Sequence, residues 1–570
     1  MTFDWPPIDD EVIEAVRAQL LTSTSIYGHD GIIRDFEERF AELHRCRHAL
    51  LTSSGTAALH SAYFALGIGR GDEVLCPAYT FFATATPLFQ LGASPVLVDS
   101  TADGFLDLDE AARLLTPRTK ALVITHMWGY PAPTPLYRDF CDSHGLALVE
   151  DCSHAHGASL CDVPVGSLAD AAVWSLQAGK LVPAGEGGIL CSRDENVHVR
   201  AVMLGHFNKR ALAEVPADHP LRRYAETGLG LKYRAHPLGI AMASVYLNRL
   251  DGWLEAKAVN AGRIEEVVRR TGWIESLHPV PRAGRASYYA YPMLITADGG
   301  SPVTRSAVAD HVRANGFTEL GTSGATRSLS TFPLFHEQVS PVVAAEGSAV
   351  RRPVPVAEYL SQALVRIPVP VTVGAETDAY LDAFAEALDR TGHALGLTTR
   401  PDVAIARPVQ QLALGVILER AERDGVEQLV VGAVAWRLHG GEPQVLLAKR
   451  RPDDFLGGFE ELIGGGVEGD EGLIGALHRE VLEEAGVAVR VAHRVVNTFD
   501  YTNEWGRRAR QVNFDVELAG DPPPPDETEH TSIRWVTTDE VKDANCTEEV
   551  RMTLRRWFAT WPTGLPPTTS

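Results

Sequence analysis

Gly465-Gly-Val-Glu-Gly-Asp-Glu-Gly-Leu-Ile-Gly-Ala-Leu-His-Arg-Glu-Val-Leu-Glu-Glu-Ala-Gly-Val487 is the stretch of this 570-residue chain whose reading constrains the fold most. Its second half predicts a helix, and three carboxylates, Glu480, Glu483 and Glu484, fall within little more than one turn of it. Helical neighbours at i+3 and i+4 share a face, so acidic oxygens converge there. Such a cluster is costly unless a hard cation neutralises it, and Mg²⁺ (or Mn²⁺) bridged to a substrate phosphate is the usual solution. For a generic E-x-x-E-E pattern the competing reading is a solvated acidic face. At about 100° per residue, however, Glu484 projects between Leu473 and Leu477, with Glu480 close beside that apolar stripe. These carboxylates lie at the edge of a buried face, not opposite it.

The same residues resemble the Nudix box, G-x5-E-x7-R-E-U-x-E-E-x-G-U with U a bulky aliphatic residue. Gly465, Glu471, Arg479, Glu480, Val481, Glu483, Glu484, Gly486 and Val487 fill its fixed positions in order. Strand-like runs flank it at Leu429–Trp436, Gln444–Ala448, Gln511–Leu518 and Ile533–Val536. Ile463 stands where many Nudix proteins carry proline. The resemblance implies an α/β/α sandwich that hydrolyses a diphosphate. Glu480, Glu483 and Glu484 would hold the metal, and Glu483 and Glu484 would belong to the catalytic machinery.

Working outward, 570 residues exceed what one hydrophobic core serves, so two or more domains are expected. A net charge of −22 argues against nucleic acid or an anionic membrane as partner, because both call for a basic footprint. No apolar run reaches the length of a membrane span, and the opening Met1-Thr-Phe-Asp-Trp-Pro-Pro has no signal-peptide pattern. Seven cysteines without a C-x-x-C pair suit reduced thiols. A cytoplasmic protein is therefore expected.

Residues 1–393 alternate strand-like and amphipathic helical runs, which predicts an α/β domain with a mostly parallel sheet. Strands are expected at Glu73–Cys76, Pro95–Asp99, Ala121–Thr125, Ala147–Glu150 and Ala172–Ser175. A small α+β lobe follows, with a strand within Ser287–Ile295 and a helix at Ser306–Asn315, and a closing helix spans Asp378–Thr391. Residues 394–408, with Pro401 and Pro408 and weak periodicity, read as a linker, and 409–570 as the second domain.

Four segments of the first domain ask for one cofactor. Thr52-Ser-Ser-Gly-Thr-Ala-Ala sets small residues at a predicted helix N-terminus, a seat for phosphate. Pro77-Ala-Tyr-Thr-Phe-Phe-Ala-Thr places aromatics after a strand. Leu148-Val-Glu-Asp-Cys-Ser-His ends a strand with Asp151, where open α/β sheets hold ligands. Trp174-Ser-Leu-Gln-Ala-Gly-Lys presents Lys180 in a glycine-rich loop. Pyridoxal phosphate (PLP) needs each part: a phosphate cradle, a ring stacker, an acid at the pyridinium nitrogen and a Schiff-base lysine. Singly each is weak; a lone lysine is usually just solvated.

In this order they resemble the DegT/StrS group of fold-type-I aminotransferases, which act on sugars and cyclitols; the resemblance spans Asp10 to Thr391. It implies helices on both faces of the sheet, Lys180 as Schiff-base residue and proton shuttle, and Asp151 at the ring nitrogen. Phe81 would stack on the ring, and His154 would lie near its phenolic oxygen. Gly55, Thr56 and Ser175 would bind the phosphate. Relatives carry a G-x-N-Y-R-M segment that reaches the neighbouring subunit of a homodimer. Here it reads Gly230-Leu-Lys-Tyr-Arg-Ala, with Lys232 in place of asparagine. Related sugar dehydratases replace the lysine with histidine, so Lys180 favours transamination, although aromatising relatives also keep it.

The expectation is a bifunctional enzyme. One half would pass nitrogen from glutamate or glutamine to a keto-sugar or keto-cyclitol, including nucleotide-linked ones, and the other would cleave a diphosphate substrate. The alternatives are an aminotransferase with a noncatalytic, nucleotide-sensing Nudix module, and a lysine-retaining dehydratase or aromatising relative. His126, His156 and His206, near the motifs, are read as structural or solvent-facing at least as readily as catalytic.

Overall fold

The computed structural model describes residues 5–161, 163–278, 284–296, 302–322, 324–336, 352–397, 408–440, 442–454, 456–469, 471–524 and 530–560. These form two compact units, 5–397 and 408–560. Of the expected 394–408 linker, residues 398–407 lie outside the described residues.

The first unit is built on a seven-stranded sheet. Its spatial order is His48–Thr52, Gly188–Ser192, Ala171–Ser175, Ala147–Asp151, Thr119–Thr125, Glu73–Pro77, Ser94–Val98. All neighbours are parallel except around Gly188–Ser192, which runs antiparallel to both of its partners. Side chains alternate across the sheet. Leu75, Leu122, Leu148 and Ala172 join one core with Phe36 and Phe40. Val74, Val123, Val149 and Val173 join the other, with Leu59 and Tyr63 of helix Gly55–Ala65. A sheet covered on both faces reads as continuous apolar runs, and the five expected strands are present within a residue or two of their expected ends. Two further strands of the sheet, His48–Thr52 and Gly188–Ser192, are not among those expected from the sequence.

The smaller lobe is an antiparallel sheet ordered Ile274–Ser276, Tyr291–Ile295, Leu364–Ile367, Gly321–Thr322, with helices Pro302–Ala314, Pro355–Ala363 and Ala375–Leu395. Helix Pro237–Thr271 precedes it. Its Lys257 is buried and donates to the carbonyls of Tyr288 and Val369, each at 2.7 Å.

The second unit has a six-stranded mixed sheet. Gln428–His439 runs parallel to Arg508–Leu518, which pairs with Val489–Thr502. Glu442–Arg450 takes His530–Val536 along one edge, and Gln428–His439 then Glu460–Glu461 along the other. Helix Leu473–Ala485 buries Leu473, Ala476, Leu477 and Val481 against Val431, Ala433 and Ala435. Trp436, one residue out of phase, meets Trp557 of helix Glu548–Ala559. The sheet is thus covered on both faces, the sandwich expected. Among the described residues no helix is long and apolar enough to cross a membrane.

Candidate active sites

In the first unit the functional side chains gather at the carboxyl ends of the parallel strands. Asp151 ends its strand, is buried, and accepts from Thr84 Oγ1 at 2.8 Å and from the Ser153 N–H at 3.1 Å. These bonds aim the carboxylate at the mouth of the sheet. Ser175 ends the neighbouring strand, and Gly55 opens helix Gly55–Ala65 directly against it. A Cβ added to Gly55 would stand 2.9 Å from the Cβ of Ser175, so only glycine lets helix and strand approach this closely. Ser54 caps the Ala57 N–H with its hydroxyl at 3.0 Å, while the first-turn N–H groups of Gly55 and Thr56 have no intrahelical acceptor. Thr56 is exposed and Gly55 buried.

Lys180 follows Ser175 on a tight turn, its N–H bonded to the Gln177 carbonyl at 2.8 Å. Its Nζ lies 4.5 Å over the centroid of Tyr289, whose ring stacks on His154 at 3.9 Å and 5°. Burial pushes the Lys180 ammonium down to about 8; the Asp151 carboxylate opposes that shift and the Arg366 guanidinium reinforces it. Burial, with the charges of Lys180 and Arg366, likewise holds His154 well below the usual imidazole range, so it is neutral near pH 7. Phe81 is 39% exposed and packs against Phe82 at 4.2 Å.

Lys180, Asp151, His154, Gly55 and Ser175 are therefore brought together. Lys232 is not: it is exposed in the stretch before helix Pro237–Thr271 and makes no hydrogen bond or ion pair among the described residues. Sequence reasoning missed Thr84, Trp128, Tyr289 and Arg366. Thr84 closes a quoted motif; the other three carry no local signal. Trp128 adopts φ 58° and Tyr288 φ 47°, left-handed values unusual for such residues. Their segments are laced by Ser287 N–H to the Gly129 carbonyl (2.8 Å) and Ser287 Oγ to the His154 carbonyl (2.6 Å).

The three remaining histidines are buried and hydrogen-bonded or neutral. His126 Nδ1 accepts from the Ala132 N–H at 2.9 Å and its Nε2 donates to Glu150 at 2.8 Å. Cys152 lies beside this pair, and the three buried side chains bring a nitrogen, an oxygen and a sulfur within 4.8 Å of one another. Burial pushes both His156 and His206 down to about 3.

In the second unit, Glu480 and Glu484 line a cavity of about 450 Å³ with Glu461, Asp453, Asp454, Arg450, Arg451 and His530. Glu484 accepts from the Gly464 N–H at 2.9 Å. Glu480 lies so near Gly465 that an added Cβ would stand 2.4 Å from its Oε2. Arg479 ties the motif together, donating to Glu471 (2.6 Å), Glu480 (2.7 Å), Glu483 (3.1 Å) and the Gly466 carbonyl (2.8 Å). Glu483 is exposed and is not among the cavity residues.

Both sites suit the groups expected of them. The cradle that a Cβ on Gly55 would fill, the anchored Asp151 and the partly desolvated Lys180 fit PLP. An all-oxygen carboxylate wall facing arginines fits Mg²⁺ or Mn²⁺ shared with phosphate oxygens.

Comparison with known proteins agrees with both geometries. Residues 6–381 match the model of the DegT/DnrJ/EryC1/StrS aminotransferase family, and residues 427–557 match the NUDIX domain. The chain is 31% identical over 308 residues to GDP-perosamine synthase of Caulobacter vibrioides, covering 54% of this chain and 79% of that protein. It is 31% identical over 362 residues to L-glutamine:2-deoxy-scyllo-inosose aminotransferase of Micromonospora echinospora, covering 62% of this chain and 84% of that one. Among solved structures, an aminotransferase from Psychrobacter cryohalolentis aligns over 70% of this chain and 100% of its own, with 25% identity and a TM-score of 0.62. A 3-amino-5-hydroxybenzoic acid synthase aligns over 69% and 99%, with 27% identity and a TM-score of 0.58.

Proposed function

We propose, for a chain that belongs to the DegT/DnrJ/EryC1/StrS aminotransferase family and carries a NUDIX domain after it, a division of labour between the two units. The first transfers an amino group from glutamine or glutamate to a keto-sugar or keto-cyclitol. The second hydrolyses a diphosphate-linked substrate. The observation that carries the first assignment is the convergence of Lys180, Asp151 and the Gly55–Ser175 cradle at one sheet end. The relatives named for perosamine and inosose chemistry support the substrate class.

PLP, when bound, supplies an electron sink conjugated to the reacting carbon. Gly55, Thr56 and Ser175 would seat its phosphate, Phe81 would stack on its ring, and His154 would lie near its phenolic oxygen. Asp151, held by Thr84 and the Ser153 N–H, keeps a proton at the ring nitrogen. Lys180 Nζ, largely unprotonated above about pH 8, carries the proton between the substrate carbon and the cofactor. The exposed Lys232 segment is offered to the phosphate of a neighbouring subunit in a cytoplasmic homodimer.

In the second unit Mg²⁺ or Mn²⁺, when bound, supplies Lewis acidity at the diphosphate. Glu480 and Glu484 would hold it from the cavity wall, joined by Glu483 of the same helix, and Arg450, Arg451 and His530 would meet the phosphate charge. A nucleotide-linked ketone would let both units act on one molecule. The second reading, a noncatalytic nucleotide-sensing module, is favoured by the exposure of Glu483 and its ion pair with Arg479.

The test is a pair of half-reactions on the full-length protein. It is loaded with amino donor, freed of donor, and offered ketones while the absorbance of the PLP form is followed. Recovery with keto-sugars or keto-cyclitols supports the first assignment; no recovery with any ketone refutes it. Metal-dependent phosphate release lost in Glu484→Gln decides between the two readings of the second unit.

A further inference from the structure

Lys180 stands at the tip of a loop, and its backbone carbonyl is held from a distant part of the chain. The indole Nε1 of Trp5 donates to that carbonyl at 3.2 Å, across 175 positions of sequence. The loop, residues 176–187, is closed by bonds within itself. The N–H groups of Leu176 and Ala178 donate to the carbonyls of Gly187 and Gly185, each at 2.8 Å, and the Ala184 N–H donates to the Leu176 carbonyl at 2.7 Å. At the tip the Gly179 N–H donates to Gln177 Oε1 at 2.8 Å. Among the described residues, the Trp5 bond is the one hydrogen bond that ties Lys180 to a segment outside this loop.

Trp5 is itself strapped down. Residues 5–12 lie along helix Pro237–Thr271. The Trp5 ring meets Trp253 at 5.2 Å, the Tyr246 hydroxyl donates to the Pro7 carbonyl at 2.8 Å, and Asp9 pairs with Arg249 at 2.8 Å. Glu11 pairs with the same arginine, and Val12 is buried with Val245 and Tyr246. Exposed ion pairs alone would hold little, but ring, hydrogen-bond and apolar contacts act with them and leave the indole little freedom. The same helix abuts the far end of the loop, where a Cβ on Gly239 would stand 2.4 Å from the Ala184 carbonyl oxygen.

A part-buried indole N–H needs an acceptor, and the acceptor here belongs to the residue whose amine must meet the cofactor. Fixing that carbonyl fixes the planar peptide unit after Lys180, and with it the direction in which the side chain leaves the backbone. The lysine stem is flexible. Its Nζ is therefore placed by the backbone it hangs from and by the wall it meets, the Tyr289 ring 4.5 Å away. Misplacing a reacting group by about 1 Å can cost about a hundred-fold in rate.

We propose that Trp5 is a positioning residue for Lys180: its indole N–H locks the lysine carbonyl so that Nζ stands where it captures the cofactor and carries the proton. This rests on the aminotransferase reading of the Lys180 pocket.

The test uses the full-length protein and two variants. One is Trp5→Phe; in the other Trp5 is replaced by 3-benzothienylalanine, which keeps a bicyclic ring against Trp253 and carries sulfur in place of the N–H. Each is checked by circular dichroism and thermal melting. The first readout is the rate at which apo-protein captures PLP, followed by absorbance. Both variants should be about five- to ten-fold slower, the loss of one donor to a constrained carbonyl. The second is the donor half-reaction of the PLP-loaded protein with L-glutamine and L-glutamate and their α-deuterated forms. Its rate should fall by a similar factor at an unchanged half-saturating donor concentration. The deuterium isotope effect should rise, because the slowed step is the proton transfer that Lys180 performs. A tryptophan that only stabilises the fold would lower the melting temperature and leave capture rate and isotope effect at wild-type values, and that result overturns the proposal. So does a loss in Trp5→Phe that the benzothienyl variant does not share, since ring packing and not the N–H would then be responsible. A wild type that captures no PLP, or responds to neither donor, removes the aminotransferase reading itself, and the proposal with it.

Discussion

Gly55 and Ser175 stand so close that a Cβ on the glycine would lie 2.9 Å from the serine Cβ and 3.1 Å from its Cα. The serine's Cα and Cβ leave a new methyl little room, and overpacking of this kind costs about 1–3 kcal/mol. Gly55→Ala should therefore push the helix N-terminus away from the strand end and widen the phosphate seat. Absorbance titration of the apo-protein with PLP should show affinity at least about ten-fold weaker, on that energetic scale. Unchanged affinity would place the phosphate elsewhere.

Lys180 gives a pH signature. Its ammonium is depressed to about 8 by burial, so the nucleophilic free amine accumulates above that pH. The rate of PLP capture by apo-protein should climb through about pH 8 and then level off. A rate still climbing steeply at pH 10 would mean an ordinary lysine. Lys180→Ala should capture no PLP and transfer no nitrogen.

Thr84 is the donor whose loss isolates the role of Asp151. Thr84→Val keeps the shape and removes a 2.8 Å hydrogen bond to a buried carboxylate. Leaving such a group short of a donor costs about 1–3 kcal/mol. The donor half-reaction should slow by about ten- to a hundred-fold on that scale, with little change in circular dichroism. Wild-type rates in Thr84→Val would show that Asp151 needs no help in orientation.

Buried Lys257 bears on stability. Burial pushes it down to about 7, while the unfolded chain keeps an ordinary lysine. Between those two values the unfolded state holds the extra proton, so the lysine's contribution to stability rises with pH and falls away as pH drops through about 7. The difference in unfolding free energy, wild type minus Lys257→Met, should therefore increase from pH 6.5 towards pH 9, by denaturant melts at each pH. A flat difference would mean that Lys257 titrates normally in the folded protein.

For the second unit, Glu480→Gln and Glu484→Gln should each abolish Mg²⁺-stimulated phosphate release from a nucleotide-sugar, while Glu483→Gln, at an exposed residue outside the cavity lining, should weaken it less. Isothermal titration with Mg²⁺ should show the same ranking. Equal losses from all three would place Glu483 at the metal despite its exposure.

The chemistry was legible wherever it is written locally. The Nudix-like glutamates lie one helical turn apart and Asp151 ends a strand marked by its apolar run, so local pattern carried them, whereas Ser175 came from the family resemblance. The strand Val489–Thr502 was not legible: register shifts at three places along it break the alternation by which strands are read. The walls of the Lys180 pocket were hidden for a deeper reason. Trp128, Tyr289 and Arg366 come from segments far apart in sequence, joined only when the left-handed turns at Trp128 and Tyr288 and the pairing of Leu364–Ile367 bring them to one point. The sequence by itself determined which groups could react, because a motif is a property of neighbours. Which distant residues stand beside them was decided by the tertiary structure alone, because contact and burial depend on distances that chain order does not contain.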